Sequence, residues 1–192
     1  MNRLFLISIA ILALVSTVFM ISKSSYESAD YKVIETDGMF EIRKYQPMIV
    51  VSTNMSTADS RSGSAFGRLF GYISGANNEN QKIAMTSPVL TSNEDGSSKM
   101  SFLVPKGIAE KGAPLPNNQD VELETIPGGR FASITFRGYA SNSKYENAAG
   151  ELTQWLKTKG LESLGEPIYA GYDPPYTPGS QRRNEVLIRL AE

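Results

Sequence analysis

The feature of this sequence that most constrains its fold is an order of secondary-structure elements that occurs twice. In each half, two strand-like segments precede a helical segment and two more follow it. The second helix, residues 145–159, places its apolar side chains on one face, and Gly160 stands where a helix stop is expected. This order predicts an α+β domain, an antiparallel sheet or open barrel with two helices against it. The similar halves, residues 31–104 and 121–192, share the order of elements and little sequence identity.

The composition suits one globular domain and excludes several classes of site. The chain has 192 residues, a net charge of −1 and 41% hydrophobic residues. Because basic residues are not in excess, we do not expect the protein to bind nucleic acid. The sequence has 0 His and 0 Cys, so imidazole and thiolate metal sites, Cys or His catalysis and disulfides are excluded, and no metal site is predicted.

The first 22 residues are expected to direct the chain out of the cytoplasm. Residues 4–21 form an apolar run whose polar members are Ser and Thr alone, and Arg3 precedes it. This pattern is typical of an export signal, and a run of about 18 residues is also near the minimum for a membrane-spanning helix. A cleaved signal peptide predicts a periplasmic protein, and a retained segment predicts one anchored to the membrane. Residues 23–30 are expected to be a polar tether, and residues 31–192 the folded domain.

Residues 66–89 are expected to form a helix followed by an extended segment, around which the domain is organised. Four apolar residues of the helix follow i, i+3, i+4, i+7 spacing and therefore share one face. These residues are Phe66, Leu69, Phe70 and Ile73. This face either packs the core or forms the wall of a ligand site. The chain is then expected to be extended over residues 81–91, with Pro88 marking an edge or a bulge.

A ridge of glycines adjoins the apolar face of this helix. Residues four apart advance only about 40° around a helix, so the glycines fall side by side. They are Gly63, Gly67, Gly71 and Gly75. Each interior Gly costs about 1 kcal/mol relative to Ala, and the helix therefore depends on tertiary contacts. The smooth ridge admits either a neighbouring backbone or a flat ligand.

Three groups of motifs, in this order, resemble the SOUL/haem-binding protein family. They are FEIRKY at residues 40–45, YISGAN and KIAMTSPV at residues 72–77 and 82–89, and AGYDPP and RRNEV at residues 170–175 and 182–186. The resemblance covers roughly residues 31–190. It implies a distorted eight-stranded antiparallel barrel with two helices, built from a repeated half.

The resemblance also implies a function, the non-enzymatic binding of haem or a related tetrapyrrole against the apolar side of the first helix. The candidate ligand-binding residues that it implies are Phe66, Arg68, Leu69, Phe70, Ile73 and Met85. Arg68, with Arg61 near it, is expected to pair with a propionate, because Arg binds carboxylates at two points. Without His, haem has to be held by shape and apolar contact; Met85 and Tyr72 are the alternative iron ligands, although a Met here is favoured as core filler.

Other functions stay open at this point. The SOUL architecture resembles the effector-binding domains of gyrase-inhibitor and multidrug-regulator type, which implies binding of apolar or cationic amphiphilic small molecules in a deep acidic pocket. The Pro-rich loop at residues 173–179 is a candidate partner surface, although the domain is expected to be a monomer. No catalytic residue is predicted: Glu122 and Glu124 share a strand face that is expected to be solvated. Arg183 is expected to form a structural network with Asp173 or Glu185.

Overall fold

The computed structural model describes residues 26–55, 64–94 and 96–191. The predicted signal peptide or anchor at residues 1–22, together with Arg61 and Gly63, lies outside the described residues. Within the described part of the chain, no helix is long and apolar enough to cross a membrane.

Nine strands in the described ranges form one antiparallel sheet. They are β1 (Tyr31–Asp37), β2 (Phe40–Tyr45), β3 (Met48–Asn54), β4 (Val89–Glu94), β5 (Ser97–Leu103), β6 (Glu122–Ile126), β7 (Gly129–Arg137), β8 (Ser163–Gly171) and β9 (Arg183–Leu190). The helices are α1 (Ala65–Ile73), the single turn α2 (Lys106–Ala109) and α3 (Asn142–Lys159), and a 3-10 turn covers Gly179–Gln181. The predicted α+β class with an open antiparallel barrel is confirmed.

The strand order reveals the predicted twofold repeat. The sheet runs β1-β2-β7-β9-β8-β4-β5-β3-β6. Strands β2, β3, β4 and β5 of the first half correspond in order to β6, β7, β8 and β9 of the second. If each strand is replaced by its counterpart, every pairing among these eight strands becomes a pairing that the sheet also contains. The counterparts β4 and β8 lie side by side at the centre. The predicted count of eight strands is wrong by one, because β1 stands outside this symmetry. It joins β2 through a two-residue turn whose Gly38 has a φ of 62°, and it adds an exposed edge without enlarging the core.

The apolar interior is divided into three clusters that follow the same symmetry. One lies under α3 and includes Leu152 and Ile188, and another lies under α1 and includes Leu69 and Phe102. The third, which includes Leu90 and Leu187, occupies the barrel interior and draws on strands of both halves. The predicted apolar face of α3 is buried, and the helix ends at Gly160 with a φ of 65° as expected.

The segment after α1 differs from its prediction. Residues 81–91 are expected to be extended, yet the strand begins only at Val89. The residues before it form hydrogen bonds that are not part of a strand pairing. The amide of Ile83 donates to the carbonyl of Ile73 over 2.8 Å, and the side-chain hydroxyl of Thr86 donates to the carbonyl of Leu103 over 2.7 Å. Met85 therefore lies on an irregular segment and not on a strand.

Residues 26–30, which belong to the expected tether, lie against the domain. The carbonyl of Glu27 accepts a hydrogen bond of 2.9 Å from the amide of Ser87, and its carboxylate accepts one of 2.7 Å from the amide of Lys106. Ala29 packs on the cluster in the barrel interior. We call residues 26–30 the strap, because they cross over this interior.

Candidate functional site

The predicted apolar face of α1 is divided between the core and the surface. Leu69 and Ile73 are buried, 0% and 6% exposed, whereas Phe66 and Phe70 are 44% and 52% exposed. Each helical residue advances about 100° around the axis, so the buried arc centres between Tyr72 and Ile73, and the two phenylalanines fall beyond its edge. The apolar face is thus wider than the part that the sheet covers.

Phe66 and Phe70 form one aromatic surface on the outside of α1. Their rings are stacked, with centroids 6.1 Å apart and planes inclined by 13°. Phe66 also contacts the buried ring of Phe102 edge-on at 5.2 Å. This contact fixes the position of Phe66, and Phe70 extends the surface outward along the helix.

The glycine ridge borders this aromatic surface. A Cβ atom built at Gly71 meets no atom of the described residues within 4 Å, and one at Gly67 meets only the hydroxyl of Ser64 at 3.2 Å. Ser64 is the N-cap of the same helix and accepts the amide hydrogen of Gly67. Among the residues that the structure describes, no neighbouring strand packs against these two positions. We call Phe66, Gly67, Phe70 and Gly71 the aromatic face.

Arg68 lies on a different side of α1 from the aromatic face. It lies about 160° around the helix from Phe70 and points to the end of β3. There its Nε donates to the hydroxyl of Thr53 over 2.9 Å, and its Nη2 donates to the carbonyl of Asn54 over 2.5 Å. These bonds tie α1 to the sheet.

The two alternative iron ligands both contact other parts of the protein. Met85 is half-buried and packs against the cluster under α1. The hydroxyl of Tyr72, a residue that is 1% exposed, donates to the carbonyl of Pro114 over 2.9 Å. Burial raises the pKa of Tyr72 to about 12, which disfavours the phenolate that binds iron. The structure therefore brings Phe66 and Phe70 together and leaves Arg68, Met85 and Tyr72 elsewhere.

A buried ionic network occupies one end of the barrel interior. Arg43 pairs with Glu185 at two points, 2.8 and 3.0 Å, and both side chains are almost completely buried. Glu185 also accepts hydrogen bonds from Tyr172 at 2.6 Å and Thr135 at 3.0 Å. Burial alone raises the pKa of Glu185, but the hydrogen bonds and charge of Arg43 outweigh it and hold the pKa at about 2. The carboxylate is therefore ionised, and both of its oxygens accept hydrogen bonds from these side chains.

Arg183 joins this network as predicted. Its Nη2 donates to Glu185 over 2.5 Å, and its backbone amide donates to the carboxylate of Asp173 over 2.6 Å. The roles of Arg43 and Tyr172 were not predicted. A signal was present, since FEIRKY, AGYDPP and RRNEV each contribute a residue, but spacing alone does not reveal that these distant motifs meet.

A small cavity lies beside the network, inside the barrel. It has a volume of about 70 Å³ and is lined by residues of both halves and of the strap, including Tyr31, Tyr45, Leu103, Tyr172 and Arg183. The cavity is too small for a porphyrin, since pockets for drug-sized ligands occupy about 300–1,000 Å³. Among the described residues, no group of three or more acidic side chains is arranged to hold a metal ion.

The fold occurs in other solved structures. The C-terminal domain of EcmrR superposes with a TM-score of 0.58 at 13% identity, covering 84% of this chain and 98% of that domain. A hydrolase from Listeria innocua superposes with a TM-score of 0.56 at 11% identity, covering 82% of this chain and 94% of the hydrolase. At such identities the likeness concerns the fold alone.

Sequence comparison identifies the family. Heme-binding protein 1 of Mus musculus is 30% identical over 178 residues, which cover 85% of this chain and 93% of that protein. Heme-binding protein 2 of Homo sapiens is 31% identical over 162 residues, which cover 79% of this chain and 78% of that protein. The family model described as SOUL heme-binding protein matches residues 26–189. This chain belongs to the SOUL heme-binding protein family.

Proposed function

We propose that this protein binds haem or a related tetrapyrrole on the aromatic face of α1 and does so without catalysing a reaction on it. The observation that carries the proposal is the stacked pair Phe66–Phe70 beside the open ridge of Gly67 and Gly71. The names of the relatives, heme-binding proteins 1 and 2, support the same ligand class.

The aromatic face has the shape that a flat macrocycle requires. Large ligands gain most of their affinity from buried apolar area. Covering the exposed halves of Phe66 and Phe70 contributes about 1 kcal/mol for each ring, in addition to the area that the ligand itself buries. Because Gly67 and Gly71 carry no side chain, a ring system lies closer to the helix backbone there than over any other residue type.

Iron coordination by the protein is not part of this proposal. The chain has 0 His, Tyr72 is buried, and Met85 is half-buried against the cluster under α1. Bound haem supplies its own apolar surface and iron, and this chain contributes apolar contact and shape. We therefore expect a tetrapyrrole without iron to bind about as tightly as haem.

The alternative of a site for cationic amphiphiles has less support. That function needs an acidic pocket, and Glu185, a buried carboxylate near the cavity, is already paired with Arg43. Of the described side chains that line the cavity, none is acidic. A lipophilic cation entering it would therefore lose its hydration without gaining a carboxylate partner.

A titration of the full chain with haem, followed by the Soret band, tests the proposal. We expect saturable binding that Phe70→Asp weakens at least tenfold, because a charge then lies against the macrocycle. Met39→Asp is the matched control, since Met39 is 53% exposed and lies in the turn between β1 and β2. Equal affinities for the wild type and Phe70→Asp, or no saturable binding at all, would overturn the proposal.

The location of the protein is proposed from residues 4–21. We propose export, with the mature protein either released or anchored through this apolar run. The mass of the mature N-terminus distinguishes the two, since cleavage removes about 22 residues. A full-length chain found in the cytoplasm would contradict both.

A further inference from the structure

The barrel interior contains a cavity that the aromatic face does not use. No residue of α1 lines it. Its wall combines apolar residues of both halves, among them Leu90, Phe131 and Leu187, with a row of tyrosines that includes Tyr31, Tyr45 and Tyr172. The rings of Tyr31 and Tyr45 are 5.0 Å apart, and Phe131 meets Tyr45 edge-on at 5.4 Å. Aromatic contacts therefore form part of the cavity wall.

The size of the cavity limits what it can hold. Its volume of about 70 Å³ is about half that of an engineered apolar cavity of about 150 Å³ that takes up benzene. An aliphatic tail of about three or four carbons fits this space. The strap forms one wall through Ser28 and Ala29, so a longer tail gains room only where the strap moves.

The charges around the cavity favour an anion. Of the described side chains that line it, only that of Arg183 is charged. This side chain is 40% exposed, and its guanidinium lies 4.2 Å from the ring centre of Tyr172. Of the nearby carboxylates, Glu41 pairs with Arg43, and Asp173 accepts the amide hydrogen of Arg183. Glu185 pairs with Arg43 and also accepts hydrogen bonds from Nε and Nη2 of Arg183, at 3.1 and 2.5 Å. A further anion therefore has to bind the Nη1 side of the Arg183 guanidinium.

We propose that this cavity is a second binding site, for a short-chain aliphatic carboxylate. The alkyl tail lies among Leu90, Phe131 and Leu187, and the carboxylate pairs with Arg183 at the partly exposed end. A guanidinium has five N–H donors, so Arg183 can donate from its Nη1 side to the ligand while Nε and Nη2 stay bonded to Glu185. A small apolar enclosure with one polar group at its mouth is a common design of small-molecule sites. The site is independent of the aromatic face.

A series of probes that differ in charge tests the polarity of the site. Pentanoate, 1-pentanol and pentylammonium have tails of similar length, and nuclear magnetic resonance titration of the full chain measures the affinity for each. We expect pentanoate to bind at least tenfold more tightly than pentylammonium, with the alcohol between them. Equal or tighter binding of the amine would overturn the proposal.

A second series, from acetate to octanoate, tests the enclosure. Each added methylene is expected to strengthen binding about fourfold until the tail fills the cavity, after which the gain ends. Ala29→Phe, which fills the cavity from the strap, is expected to abolish pentanoate binding, and Leu103→Phe repeats the test from β5. Pentanoate affinity that is unchanged in two folded filling variants would contradict the proposed location.

Arg183→Gln tests the anion contact, and the adjacent Arg182 provides its matched control. Arg182 bonds the carbonyls of Pro175 and Thr177 and lies over the ring of Tyr139, and it does not line the cavity. We expect Arg183→Gln to remove the preference for pentanoate over pentylammonium, Arg183→Lys to restore part of it, and Arg182→Gln to leave it unchanged. A preference that survives Arg183→Gln would overturn the assignment.

Phe70→Asp is expected to leave pentanoate binding intact. Loss of pentanoate binding in that variant would show that the probe binds at α1.

Discussion

Arg43 on β2 and Glu185 on β9 form a two-point ion pair inside the barrel, with distances of 2.8 and 3.0 Å. The two residues are 142 positions apart in the chain and belong to different halves of the repeat. Their strands do not pair with each other, because β7 lies between them. The ion pair therefore joins the halves through side chains in addition to the shared sheet.

Removing one member of this pair is expected to destabilise the protein strongly. Arg43→Met leaves a buried carboxylate with less compensation, and loss of one partner of a buried pair costs about 3–5 kcal/mol. We expect the double variant Arg43→Met with Glu185→Leu to lose less stability than the sum of the single variants. Urea unfolding of the four proteins measures this coupling.

The exposed pair between Lys159 and Glu35 is the control for this prediction. Its atoms are also 2.8 Å apart, but the side chains are 36% and 43% exposed. Removal of either partner is expected to cost less than about 1 kcal/mol, because solvent screens the charges. Similar losses for the buried and the exposed pair would show that burial of Arg43 and Glu185 has no energetic consequence.

The same carboxylate gives a specific dependence of stability on pH. The pKa of Glu185 is held at about 2, below its ordinary value of 4.5. A lowered pKa in the folded state contributes stability that is complete above pH 4.5 and is lost as the pH falls toward 2. The contribution is about 3 kcal/mol at neutral pH. We expect the free energy of unfolding to fall over this window in the wild type and to fall less in Glu185→Gln.

The repeat and the helices could be predicted because they depend on local patterns. The apolar spacing of α3 and its stop at Gly160 are properties of adjacent residues, and both are confirmed. The division of α1 was not predictable, because it depends on where Ile83 and Phe102 pack against Leu69 and Ile73. Phe66 and Phe70 have the same apolar character as their buried neighbours, and only the extent of the sheet distinguishes them.

The buried network could be predicted only where its members are close in sequence. Arg183, Asp173 and Glu185 are close in sequence, and their network was expected. The contribution of Arg43 was not, since no periodicity connects residues 142 positions apart. The resemblance to the family marked the motif that contains Arg43 without indicating its partner.

Arg68 is expected to stabilise the protein and not to bind the ligand. Arg68→Gln removes its hydrogen bonds to Thr53 and Asn54, and we expect the free energy of unfolding to fall by about 1 kcal/mol while haem affinity stays within twofold. Chemical unfolding and Soret titration of the same preparation measure both. A tenfold loss of affinity at unchanged stability would instead favour the propionate contact that the sequence suggested.

Substitution of Gly71 separates the stability of α1 from the function proposed for it. A Cβ atom at this position meets no atom of the described residues within 4 Å, so Gly71→Ala is expected to stabilise the protein by about 1 kcal/mol through helix propensity. Gly71→Leu also improves the helix, but its side chain covers the place where the macrocycle lies against the backbone. We therefore expect a folded variant with at least tenfold weaker haem binding.

The matched control for Gly71→Leu is Gly150→Leu on α3. Gly150 is exposed and helical, and a Cβ there likewise meets no described atom within 4 Å. The two substitutions add the same side chain at helical positions where a Cβ meets no described atom within 4 Å, so they are expected to change the thermal midpoint similarly. They differ in that only Gly71 belongs to the aromatic face, and only its substitution is expected to weaken haem binding. Equal haem affinities of the two variants would mean that the macrocycle does not lie on α1, however tightly it binds elsewhere.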